Sequence, residues 1–140
     1  MTLRMQGRFP FSRLSTMARP LVLLAEDDEG WRDLLKRWLT AEDYCEVTAV
    51  ASGAAVLPAL KKKTPDLIIL DHQLGDTTGM EVCRQIKESP KYKRIPVIIL
   101  TTMAQEMLKI VASAAPDHFV VKSEKPEELF AVLDSLLPRR

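Results

Sequence analysis

Residues 67–76 read LIILDHQLGD. Four apolar residues, two of them β-branched, run straight into Asp71. Such a run reads as a strand, 67–70, covered on both faces. A covered strand should not push a carboxylate out of its tip without a use for it. Gly75 and Gly79 then bracket a loop.

The same grammar recurs on either side. LVLLA (21–25), CEVTAV (45–50), VIIL (97–100) and HFVV (118–121) are four more short apolar runs. Between them lie helical patterns. Trp31, Leu34, Leu35, Trp38 and Leu39 fall at i, i+3, i+4, i+7 and i+8, which predicts a helix over 29–41. A second helix is expected from Ser52 as N-cap, kinked or delayed by Pro58. Val82, Cys83 and Ile86 mark a third over 79–88. Met107, Ile110, Val111 and Ala114 mark a fourth. Leu129, Leu133, Leu136 and Leu137 mark the last, with Pro126 at its first position. Five runs alternating with five helices mean an α/β fold, (βα)5, a doubly wound parallel sheet with helices on both faces.

Bulk properties set the limits. One domain suits 140 residues. No apolar run is long enough to span a bilayer. Residues 1–19 hold Arg4, Arg8, Arg13 and Arg19 and no acid, and Arg139 and Arg140 end the chain. Without those six, 14 basic residues face 19 acidic ones, a net of about −5, which argues against nucleic acid as the main partner. Residues 1–19 are expected to be a basic, disordered tail, or an over-long start with Met17 as initiator; they resemble a transit peptide only faintly. Residues 20–138 are expected to be the folded domain. The chain ends soon after the last helical leucine, so no output domain is expected. Cys45 and Cys83 show no metal-ligand spacing and read as buried thiols of a reducing compartment.

In such sheets function gathers at the carboxyl ends of the strands. There stand Glu26, Asp27 and Asp28 after the first run, Asp71 after the third, Thr101 and Thr102 after the fourth, and Lys122 and Ser123 after the fifth. Carboxylates about 5 Å apart at an effective dielectric of about 20 repel by roughly 3 kcal/mol per pair. Lys122 supplies one offsetting charge, and an all-oxygen site suits Mg²⁺. Asp28 and Glu29 read as helix-start acids. Glu26, Asp27 and Asp71 read as a site. Three acids, a cation, a hydroxyl and a lysine suggest phosphoryl transfer to a carboxylate nucleophile.

Taken together, LVLLAEDDE, PDLIILDHQLGDTTG, PVIILTT and FVVKS resemble the receiver domain of two-component response regulators, of the chemotaxis-response-regulator kind, over about residues 20–137. The resemblance implies a flavodoxin-like sheet of order 2-1-3-4-5. It implies Asp71 as phospho-acceptor, Glu26 and Asp27 with Asp71 as Mg²⁺ ligands, and a backbone carbonyl from Gln73. It implies Thr101 and Lys122 around the phosphoryl group, and Thr101 with Phe119 as a switch. The donor would be a histidine kinase or histidine phosphotransfer protein. Output would pass to a protein through the face of the fourth helix, fifth strand and fifth helix, with a homodimer as one option. The protein would be a cytoplasmic signalling module, catalysing only its own phosphorylation and dephosphorylation.

The chain departs from the family pattern at several places. Ser123 stands where proline usually follows the lysine, so a rearranged or strained loop is expected, cis or trans. Gly75 replaces a frequent proline, and Thr102 is bulkier than the usual alanine. The stretch from Thr101 to Phe119 is one residue short. Met103 cannot orient water, which predicts slower hydrolysis of the aspartyl phosphate. These departures motivate an alternative, a pseudo-receiver that binds without being phosphorylated. A metal-dependent phosphatase is a third class, but Gln73 stands where its second acid would be, and EDDEGW lacks the glycines of a dinucleotide site. His72 reads as a partly buried sheet residue, His118 as surface, and Trp31 as core or rim able to report metal binding.

Overall fold

In the computed structural model, which describes residues 19–102 and 116–137, the five apolar runs pair as parallel strands. They are β1 (Leu21–Ala25), β2 (Glu46–Val50), β3 (Leu67–Asp71), β4 (Val97–Thr101) and β5 (His118–Val121), in the order β2-β1-β3-β4-β5. The described helices are α1 (Glu29–Thr40), α2 (Val56–Lys62), α3 (Gly79–Glu88) and α4 (Glu127–Leu136). The expected helix on Met107–Ala114, Met103, the shortened stretch before Phe119 and most of the basic tail lie outside the described residues.

Side-chain alternation sorts the sheet into two cores. Val22, Leu24, Leu67, Ile69, Ile98, Leu100 and Val120 face one way, onto Leu35 and Leu39 of α1 and Leu129, Phe130 and Leu133 of α4. Leu23, Ala25, Ile68, Leu70, Val97 and Ile99 face the other way, onto Val56 and Leu60 of α2 and Val82, Cys83 and Ile86 of α3. This double covering is why the central strands β1, β3 and β4 are buried along their whole length and apolar up to their tips, while the edge strands β2 and β5 carry Glu46, Thr48 and His118. Each fully buried leucine contributes roughly 1.5–3 kcal/mol. The two cysteines form no disulfide; they are buried on opposite faces of the sheet.

Local chemistry sets the helix ends. The Asp28 carboxylate accepts from the Trp31 amide at 2.8 Å and caps α1. A 3₁₀ turn, Ala41–Asp43, follows α1, with Glu42 and Asp43 at positive φ. The second helix starts later than Ser52: the serine hydroxyl accepts from Ala55 at 3.3 Å in a preceding turn, and α2 begins at Val56. Pro58 therefore falls in the first turn, where its missing N–H costs no helical bond. Pro126 likewise shifts by one, to the N-cap of α4.

Register positions the site. Ala25 pairs with Leu70, Asp71 with Leu100, and Thr101 with Val121. Glu26 therefore stands level with Asp71, on neighbouring strands at the place where chain order reverses. There are no cis peptide bonds among the described residues, so Lys122–Ser123 is trans. That avoids the roughly 2.5–4 kcal/mol of a cis bond without proline. The Ser123 hydroxyl accepts from the Lys125 amide at 3.0 Å, making a small local turn instead.

Candidate functional site

Carboxylate oxygens of Glu26, Asp27 and Asp71 lie within 4.8 Å of one another. Glu26 is fully buried, Asp71 is 6% exposed, and Asp27 is open to water. The Lys122 ammonium reaches across from the end of β5. It stands 2.7 Å from Glu26 Oε1 and 3.1 Å from Asp71 Oδ1, on a side chain that is 6% exposed. The Asp28 amide donates to Glu26 Oε2 at 3.2 Å.

The electrostatics follow from burial. Loss of water pushes the Glu26 carboxyl up to about 7, and the charge of Asp71 adds to this. Lys122 and the Asp28 amide pull it back down. Burial lowers the pKa of Lys122, but its bonds to Glu26 and Asp71 outweigh this and hold the ammonium above its ordinary value. With all three acids ionised, one lysine leaves two negative charges uncompensated. The donor set is all oxygen, partly dry, with one arm in water. These residues fit a hard divalent cation.

The backbone around Asp71 is tightly shaped. A Cβ on Gly79 would lie 2.4 Å from the Asp71 carbonyl oxygen, so only glycine lets α3 start this close. The Gly79 amide donates to the His72 carbonyl at 2.8 Å. Gly75 has φ +82° and opens the loop toward Asp27. Gln73 and Thr78 bridge the loop's two arms, with Gln73 exposed.

The other sequence-predicted residues are placed as follows. Thr101 is buried at the end of β4, and its carbonyl accepts from the Lys122 amide at 2.7 Å. Thr102 is exposed. Phe119 is half-buried against the α2–α3 core. His72 is buried and His118 exposed. Asp28 is the α1 cap rather than a member of the cluster.

Three contacts near the site escaped sequence reasoning. Arg32 donates to the carbonyls of Glu26 at 3.0 Å and Asp27 at 3.5 Å, pinning the acidic turn from α1. The Trp31 ring lies under Lys122, with the ammonium 5.1 Å from its centroid. The Asp76 carboxylate accepts from the amides of Gly53 at 2.9 Å and Ala54 at 2.9 Å, tying the loop after β3 to the loop after β2. The first two sit in the opening turn of α1, where a helix folds back over the turn it follows. Asp76 had no local signal, since its partners are 22 and 23 residues away.

Residues 22–134 match the response regulator receiver domain family. The chain belongs to that family. It is 34% identical over 121 residues to the phosphate regulon transcriptional regulatory protein PhoB of Rhizobium meliloti, covering 86% of this chain and 53% of that one. This receiver thus spans about half the length of the curated relatives it matches. Among solved structures, the chemotaxis response regulator CheY4 of Vibrio cholerae aligns with a TM-score of 0.76 at 27% identity, over 85% of this chain and 99% of that chain. The response regulator TrrA of Thermotoga maritima, solved with Mg²⁺ and BeF, aligns with a TM-score of 0.76 at 29% identity, over 84% and 99%. Among the described residues, no helix is long and apolar enough to cross a membrane.

Proposed function

We propose that Asp71 is the phospho-acceptor of this receiver. One observation carries the reading: the three carboxylates converge beside a buried lysine, at the point where chain order reverses. An Asp71 oxygen attacks phosphorus, a P–O bond forms, and the P–N bond to a donor histidine breaks. The imidazole leaves and takes up a proton. Lys122 moves from carboxylate to phosphoryl oxygen, and Thr101 donates its hydroxyl hydrogen to another. Glu26, Asp27, Asp71 and the Gln73 carbonyl would hold Mg²⁺, which neutralises developing charge when bound. Arg32 keeps the acidic turn in place throughout.

Signalling in this reading follows from Thr101 moving and Phe119 repacking, read by a protein at the face beside β5. The donor is a histidine kinase or phosphotransfer protein, and the setting is cytoplasmic. The test is mass spectrometry after incubation with acetyl phosphate and Mg²⁺. The expected result is a gain of one phosphoryl group, absent in Asp71→Asn. No gain in the wild type would favour the pseudo-receiver, a binding module indifferent to phosphate.

A further inference from the structure

Lys122 has a third partner besides its two acids. Its ammonium lies over the Trp31 indole, and Trp31, Leu35, Trp38 and Lys122 line one small cavity, with Trp31 packed against the core that holds Leu35. The Asp28 cap holds the Trp31 backbone amide and so the start of the helix that carries the ring. A buried ammonium loses hydration on every side. Glu26 and Asp71 replace it on one side, and the electron-rich face of an indole replaces it on another. Unlike a third carboxylate, the ring adds no charge and sets no single bonding direction.

We propose that Trp31 is a positioning residue for Lys122. This rests on the reading of Asp71 as phospho-acceptor. The ring keeps the ammonium at the mouth of the site while it exchanges Asp71 for a phosphoryl oxygen. The contact is with a broad ring face rather than a single lone pair, so it is kept through a short movement of the ammonium. A leucine would preserve apolar packing but supply no π face.

The test compares Trp31→Phe with Trp31→Leu by calorimetric titration of beryllofluoride, a phosphoryl mimic, in saturating Mg²⁺. Each variant is also titrated with Mg²⁺ alone and melted. Trp31→Leu should bind beryllofluoride about 5- to 30-fold more weakly, the range expected for a desolvated cation–π contact. Its Mg²⁺ affinity should stay within about twofold of wild type, because the ring faces the ammonium and not the three clustered carboxylates, and Trp31→Phe should recover most of the loss. Equal losses in both variants, or parallel losses of Mg²⁺ and beryllofluoride affinity, would overturn the proposal in favour of a packing role. If wild type itself binds no beryllofluoride, the phospho-acceptor reading fails instead. An independent readout needs no substitution of Trp31. In Trp38→Phe, Trp31 is the remaining indole, and its fluorescence should change on adding beryllofluoride. A signal that persists unaltered when Lys122 is also replaced by methionine would overturn the assignment.

Discussion

Glu26 and Lys122 meet at 2.7 Å with both side chains almost out of water. Neither would be tolerated there alone. Burying one charge costs several kcal/mol, and the pair repays this only through close geometry. Truncating one partner is the disruptive change. Lys122→Met should destabilise the fold by about 3 kcal/mol near pH 8, where it strands the carboxylates. Urea melts at pH 8 and pH 5.5 check this, and the loss should shrink at the lower pH as Glu26 takes up a proton.

The raised pKa of Glu26 has its own sign. A carboxyl lifted from 4.5 to about 7 in the fold favours the native state fully below 4.5, and that contribution disappears as pH rises through about 7. It amounts to about 3 kcal/mol. A cation competes with that proton. The rise in Tm on adding Mg²⁺ should therefore grow from pH 6 to pH 8. Equal rises at both pH values would show that Glu26 is already ionised at pH 6.

Gly79→Ala tests the shape of the backbone at Asp71. The new methyl would lie 2.4 Å from a backbone oxygen, which cannot swing aside as a side chain does. The variant should lose about 1–3 kcal/mol, the range for overpacking. It should also bind Mg²⁺ more weakly, because relief requires Asp71 to move. Unchanged chemical denaturation would contradict the close approach.

Asp76 is exposed, yet two backbone amides hold its carboxyl below the usual range. A lowered pKa stabilises the fold above 3.8 and is lost as pH falls through the folded value. Asp76→Ala should speed hydrogen exchange at Gly53 and Ala54 while leaving the sheet amides protected. Uniform loss of protection would point to global destabilisation instead.

Burial pushes the Cys83 thiol up to about 11. It and Cys45 should resist alkylation at pH 8 in the native state and react fully in denaturant. Rapid native labelling of Cys83 would place it nearer the surface than the α3 core.

Much of this was legible along the chain. LIIL before Asp71, and the like runs before Glu26, Thr101 and Lys122, place each chemical residue at a strand end, because a doubly covered strand must be apolar until it emerges. The Trp31–Leu39 periodicity placed α1 to within a residue. Ser52 misled, because a serine before an apolar run caps a turn as readily as a helix, and Pro58 tolerates only the first helical turn.

Element types, the sheet class and the identity of the acids at its edge can be read along the chain, since they depend on local periodicity and burial. Which groups face each other cannot. The pairing of Lys122 with Glu26 as well as Asp71, the indole beneath it, the Arg32 brace and the Asp76 clasp join residues from separate loops. Their distances are set by strand register and helix docking, which no single stretch of chain contains.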